Sequence, residues 1–256
     1  MRNPYIGITG VATPFEAQAI LDMTPPYVRR KIGIGVLVSE KKMLAGIPAP
    51  LYPHWGAVER IFMPDPRAFN TIHYIPLQQE PHGDEYQMYA GLMKMREIGG
   101  AYLDAIQIDA DWPNERAIAR FRSDYPCIAI ILQIRKRMLD LYDEPHALVE
   151  VIKQRYEDLV DYYMVDRSMG EGKRLDIVEA ERYLAALTSA FPTCGLVVAG
   201  GLYAEVLKTS VRHLAMKIPH LSMDAQTHLQ NIYGHLDYGH VKKYLHEALQ
   251  VFNEYP

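Results

Sequence analysis

The sequence predicts an α/β protein built as a single (β/α)8 TIM barrel with a long insertion after the second strand. Three observations carry that prediction. Eight short apolar runs alternate with amphipathic helical segments from end to end. The runs are continuous rather than alternating in polarity, as strands of a parallel sheet covered on both faces are. The seventh run, in the stretch Cys194–Gly201, ends in Gly200-Gly201 before a helical segment. Barrels of this kind present backbone N–H groups to a phosphate in that way. An open doubly wound sheet is the alternative arrangement.

The predicted strands are Tyr5–Thr9, Ile32–Ser39, Thr71–Leu77, Ala105–Ile108, Cys127–Ile134, Tyr162–Asp166, Gly195–Ala199 and Met216–Ser222. The first helix follows Thr13, with Pro14 at its first position and Glu16 placed to complete a capping box. Asp84–Ile98 carries Tyr86, Tyr89, Met93 and Ile98, and Gly99-Gly100 stops it. Pro113–Phe121, Pro145–Tyr156, Asp176–Ser189, Ala204–His213 and Gly239–Phe252 continue the series. The exception is Lys41–Phe69, Pro-rich around a short helical piece at Trp55–Phe62. A connection this long is usually functional, and here it is expected to be an insertion or lid over the face where barrel active sites form.

The chain has 256 residues, 49% of them hydrophobic, enough for one sizeable core. A net charge of −4 does not favour nucleic acid or an anionic membrane as partner. No run is long enough to span a bilayer, and the N-terminus lacks the apolar core of a signal peptide, so a cytoplasmic protein is expected. Cys127 and Cys194 sit in apolar runs and are expected to be buried thiols. The 18 tyrosines and 12 methionines suit soft packing or a homo-oligomer interface without prescribing either.

Polar residues at the C-terminal ends of barrel strands converge on one mouth. That rule selects Thr9, Ser39, Gln78, Gln107, Asp109, Gln133, Arg135, Asp166, Asp224 and His228. Asp166 leads, because it closes an apolar run and precedes a loop containing Gly170 and Gly172. A carboxyl group there can act as general acid if burial raises its pKa. The two loop glycines can line an anion site, as can Gly200 and Gly201. Asp109, Asp111 and Asp166 could together invite a hard cation. No His-x-His or His-Glu spacing supports a transition metal, and neither a metal nor another cofactor is expected.

These pieces together resemble phosphoribosylanthranilate isomerase. The family's KICGIT resembles Pro4-Tyr5-Ile6-Gly7-Ile8-Thr9, and its IQLHG resembles Ile106-Gln107-Ile108-Asp109-Ala110. Its LDS and GGTG resemble Val165-Asp166-Arg167 and Met169-Gly170-Glu171-Gly172, and its AGGL is Ala199-Gly200-Gly201-Leu202. The resemblance implies a sugar-phosphate isomerase barrel with Asp166 as general acid. The departures are equally specific. On this alignment Ile6 stands where the family has its cysteine base, and Ser39-Glu40-Lys41 where it has SPR. Asp224 and Gln226 replace a Ser and the Gly of its last phosphate turn.

The expectation is therefore an isomerase-type enzyme on a small polar or phosphorylated molecule, with the family's own reaction in doubt. Asp166 and Asp109 are its candidate catalytic residues. Lys41, Gln107, Arg135, Gly170, Gly172, Gly200, Gly201 and Asp224 are its candidate binding residues. Two alternatives stand beside it. One is a non-catalytic ligand-binding barrel. The other is a glycosidic or N-glycosidic hydrolase using Asp109 and Asp166 as paired carboxylates.

Overall fold

In a computed structural model the eight strands close into one parallel barrel, in the order β1 to β8. Residues 2–46, 49–77, 83–168 and 176–253 are described. The strands are β1 (Tyr5–Thr9), β2 (Lys31–Ser39), β3 (Ala68–Ile75), β4 (Ala105–Ile108), β5 (Ala129–Arg135), β6 (Tyr162–Asp166), β7 (Gly195–Ala199) and β8 (Leu221–Ala225). Closure is made by β1 against β8, with Gly7 beside Asp224. Among the described residues no helix is long and apolar enough to cross a membrane.

Side chains alternate between two environments, as the pleat requires. Ile6, Ile8, Ile32, Ile34, Ile72, Ile106, Ile130, Val198 and Met223 pack outward against the helices in one buried cluster. Tyr5, Ala105, Ile131, Tyr162, Met164, Val197 and Ala199 form a second cluster inside the barrel. Its floor is aromatic: the rings of Tyr5, Phe69 and Tyr162 lie 5.0–5.7 Å apart. Such rings close the N-terminal end by area alone and gain a little from tilted geometry. Above them the inward positions turn polar, with Thr9, His73, Gln107, Gln133, Asp166 and Asp224 all buried.

Helix α1 (Pro14–Asp22) begins as its sequence predicts. Thr13 Oγ1 accepts from Glu16 N at 3.2 Å, and Glu16 Oε2 accepts from Thr13 N at 2.9 Å and from Ala12 N at 2.8 Å. Thr13→Ala removes one partner of this box, so it should cost ~1 kcal/mol. In a chain of this size the loss should read as a fall of roughly 2–4 °C in Tm by thermal melt.

The connection from β2 to β3 divides in two. Helix α2 (Glu40–Ala45) follows β2 directly, and Tyr52 beyond it reaches the cavity at the C-terminal end of the barrel. Helix α3 (Val58–Ile61) packs between α1 and α4 (Glu85–Gly99), which is the ordinary place for a barrel's second helix. The stretch Lys41–Phe69 is thus partly the barrel's own scaffold rather than one separable insertion, and its last residues, Ala68 and Phe69, begin β3.

Three further expectations are corrected. The eighth strand runs Leu221–Ala225 rather than Met216–Ser222. Met216 belongs to the helix Arg212–Lys217, which continues the helical run through a π-helical stretch at Leu207–Val211, and His220 is exposed ahead of the strand. Cys127 is exposed in the turn before β5 and Cys194 is only half-buried, so neither is a core thiol.

Candidate active site

The polar ends of the strands enclose a cavity of about 190 Å³ at the C-terminal face of the barrel. Strands β3 to β8 each contribute to its wall. The turns after β7 and β8 supply Gly200, Gly201, Gln226, Thr227 and His228, and Tyr52 from the β2–β3 connection covers one side.

A continuous hydrogen-bond chain crosses four strands along the cavity floor. His73 Nε2 lies 3.2 Å from Asp109 Oδ2. Gln107 Nε2 lies 3.3 Å from His73 Nδ1 and donates to Gln133 Oε1 at 2.9 Å. Gln133 Nε2 then donates to Asp166 Oδ2 at 2.8 Å. The other oxygen of Asp166 accepts from the Ser168 backbone N–H and hydroxyl, both at 2.8 Å. Asp109 is further engaged by Arg135, whose Nε lies 3.1 Å from Oδ1. Burial pushes the Asp109 carboxyl upward, but the His73 hydrogen bond and the neighbouring positive charge outweigh it and hold the group below the usual carboxylate range.

Asp224 is the opposite case. Its buried carboxyl takes its two 3.0 Å contacts from a single donor, the Thr9 hydroxyl. Desolvation pushes its pKa up to about 6, with the Thr9 hydrogen bond opposing the rise and the Asp166 charge adding to it. The register places Asp166, Ala199 and Asp224 side by side on β6, β7 and β8. The two carboxyl groups therefore flank the small side chain of Ala199 at one level.

The space Asp224 fills is created on β1. A Cβ on Gly7 would lie 2.2 Å from Asp224 Oδ1 and 3.1 Å from the Met223 carbonyl oxygen. Ile6, expected at the position of the cysteine base, faces the helices and is fully buried there. The inward position at this level of β1 is Gly7, and the carboxyl group over it comes from β8. Asp224 is accordingly a strand residue, and the turn after β8 begins only at Gln226.

The glycine pair has two duties. Gly200 and Gly201 have φ of +96° and +63°, which glycine adopts without strain. A Cβ on Gly200 would also come within 2.8 Å of Asp166 Oδ1. Gly200 thus admits the Asp166 carboxyl as well as lining the cavity.

Of the residues selected from sequence, Asp166, Asp109, Gln107, Arg135, Gly200, Gly201 and Asp224 meet in this cavity. Lys41 does not: it is exposed on α2, while its neighbour Lys42 lies over the Tyr52 ring at 3.6 Å. Gly170, Gly172 and Gln78 fall outside the described residues. The hydrolase arrangement finds Asp109 and Asp166 in one cavity, yet Asp109 is ion-paired with Arg135 and held by His73, and is poorly suited to donate a proton. Among the described residues no group of three or more His, Cys, Asp or Glu side chains is placed to hold a metal ion. Sequence reasoning missed His73. Its signal was a single polar residue between apolar neighbours in Ile72-His73-Tyr74, repeated in Ile106-Gln107-Ile108 and Leu132-Gln133-Ile134.

No protein-family model matches the chain, and no curated protein matches it in sequence. Solved structures do match the fold. Phosphoribosyl anthranilate isomerase from Thermotoga maritima superposes with a TM-score of 0.64 at 15% identity, covering 96% of this chain and 99% of its own. A phosphoribosyl anthranilate isomerase in complex with reduced 1-(o-carboxyphenylamino)-1-deoxyribulose 5-phosphate gives 0.62 at 13%, with 96% and 99% covered. Active domain 2 of a chitinase from Pyrococcus furiosus gives 0.58 at 10%, with 97% and 96% covered. At these identities the likeness establishes the barrel fold.

Proposed function

We propose that this protein is an acid–base enzyme that isomerises a small, hydroxylated, anionic substrate of the sugar-phosphate class. One observation carries the reading: a buried carboxyl group, Asp224, whose pKa desolvation pushes up to about 6, faces a second carboxyl group across one intervening strand at the floor of a polar cavity. A group poised near the working pH exchanges protons efficiently in both directions. Isomerisation of an α-hydroxy aldehyde to a ketone moves one proton from C2 to C1 and one from the C2 oxygen to the C1 oxygen. Asp224 carries the carbon proton. Asp166, which lines the same cavity, takes and returns the oxygen proton.

The rim supplies the anion contacts. Gly200 and Gly201 present backbone without side chains, Thr227 and His228 stand beside them, and Arg135 brings a cation from β5. Asp224 turns to Thr9 rather than into the glycine turn, so it leaves that end open to a phosphate. The ligand seen in a structural neighbour is itself a sugar phosphate. Lys41, aligned with the last residue of the family's SPR, does not line the cavity, and an anthranilate carboxylate is not the anion proposed.

Proton exchange in D2O tests the reading without knowledge of the product. Purified protein incubated with a panel of aldose and ketose phosphates should exchange the C1 or C2 hydrogen of at least one, followed by NMR. Asp166→Asn should slow that exchange by ~100-fold or more. Binding of sugar phosphates by calorimetry with no exchange across the panel would overturn the enzymatic reading in favour of a ligand-binding barrel.

A further inference from the structure

The geometry points to Gln107 and Gln133 as positioning residues that form a one-way amide chain, fixing the tautomer of His73 at one end and the orientation of Asp166 at the other. A primary amide has two N–H donors on nitrogen and acceptor lone pairs on oxygen, so its orientation is decided by its neighbours. The Asp166 carboxylate is the terminal acceptor, and Ser168 supplies donors to its other oxygen. Gln133 must then point its nitrogen at Asp166 and its oxygen at Gln107. Gln107 must in turn point its nitrogen at Gln133, and the second hydrogen on that nitrogen is aimed at His73 Nδ1. Reversing Gln133 would set its carbonyl oxygen against the carboxylate. Reversing Gln107 would set two carbonyl oxygens against each other. Buried polar groups left in such contacts cost far more than a hydrogen bond returns.

The consequence falls on His73. With Nδ1 accepting from Gln107, the ring is neutral and carries its hydrogen on Nε2, where it donates to Asp109 Oδ2. Arg135 balances the charge of Asp109 from the other side, so the imidazole need not supply it. Both ring nitrogens are therefore occupied by protein. His73 acts as an anchor of the chain, whereas the two residues free to exchange protons with substrate are Asp166 and Asp224. His73, Gln107, Gln133 and Asp166 are all buried, so little of their surface is left to water.

Two measurements test this, and only the second rests on the proposed isomerisation. In protein labelled with 15N-histidine, the His73 ring nitrogens at neutral pH should show an unprotonated Nδ1 and a protonated Nε2. A protonated Nδ1, in either the other tautomer or an imidazolium, overturns the inference whatever the enzyme acts on. Gln107→Glu places an acceptor opposite Nδ1 and should abolish the Nδ1-acceptor signature. Its persistence there also counts against the chain. In the exchange assay, Gln133→Met keeps length and bulk but removes the donor to Asp166. It should lower kcat by ~10–100-fold with KM little changed, and Gln133→Glu should not restore it. Unchanged kcat in a folded Gln133→Met protein overturns the positioning role. Absence of exchange in the unsubstituted protein, with the His73 signature as expected, would instead fault the functional reading and leave the amide chain standing.

Discussion

Asp224→Asn should make the protein more stable at neutral pH while removing its capacity to move a carbon-bound proton. The stability half follows from linkage. Burial raises the folded-state pKa of Asp224 to about 6 from an ordinary value of 3.8. Below pH ~4 the group is protonated in both folded and unfolded chains and contributes nothing. Between roughly pH 4 and 6 the unfolded chain loses its proton first, so stability falls as pH rises. Above pH ~6 both states are ionised and the full penalty remains, on the order of 3 kcal/mol for a shift of this size. Asparagine keeps an acceptor for the Thr9 hydroxyl and carries no charge to desolvate. The variant's advantage should therefore be absent near pH 4, grow through pH 4–6 and level off above it. Thermal melts across that range measure it, with roughly 2–4 °C expected per kcal/mol.

The catalytic half has the opposite sign. An amide cannot accept a proton from carbon, so exchange should fall by ~10²–10⁴-fold. In the unsubstituted protein kcat/KM should rise through an ionisation near pH 6 as Asp224 becomes the carboxylate, and the residual rate of the variant should lack that limb. A buried, destabilising carboxylate retained in the lining of a cavity is the pattern of a stability–activity trade-off. If Asp224→Asn melted lower at pH 8, or exchanged protons as fast as the unsubstituted protein, the assignment of Asp224 as the base would fall.

The barrel was legible because its signal is repeated. Eight continuous apolar runs separated by capped helices leave few other closures, and Tyr5–Thr9, Ala105–Ile108, Tyr162–Asp166 and Gly195–Ala199 appear with the bounds read from sequence. The eighth strand was displaced because Met216, Ile218 and Leu221 make an apolar run whose first part finishes a helix. Hydrophobicity alone does not separate those two uses. The site was legible in its acidic members, since a carboxylate that closes an apolar strand sits where the chain leaves the core for the barrel mouth. It was not legible in its facing. Ile6 and Gly7 are adjacent in a strand buried on both sides, so no polar alternation marks which of them looks inward. The alignment with KICGIT chose Ile6, and the pleat chose Gly7. His73 was hidden for another reason: its partners Gln107 and Asp109 come from β4 and the residue after it, and meet it only when the barrel closes.

Gly7→Ala is the sharpest probe of that inward position. The added methyl would stand 2.2 Å from Asp224 Oδ1 and 3.0 Å from its Cγ, with the Met223 carbonyl oxygen at 3.1 Å behind them. Neither the strand nor a short buried side chain has room to absorb this, so the carboxyl group must leave Thr9 and turn into the cavity. Overpacking of this kind costs about 1–3 kcal/mol. Displacing a reacting group by about 1 Å costs on the order of 100-fold in rate. Both losses should therefore appear together, as a lowered Tm and slowed exchange. A double substitution separates steric conflict from general damage to β1. In an Asp224→Ala background the methyl has lost its principal obstacle, so adding Gly7→Ala should cost little further stability, a coupling of about 0.5–3 kcal/mol between the two positions. Additive losses would mean that Gly7 and Asp224 do not compete for one volume. Coupled losses would show that the missing side chain at Gly7 is what admits the Asp224 carboxyl group from β8.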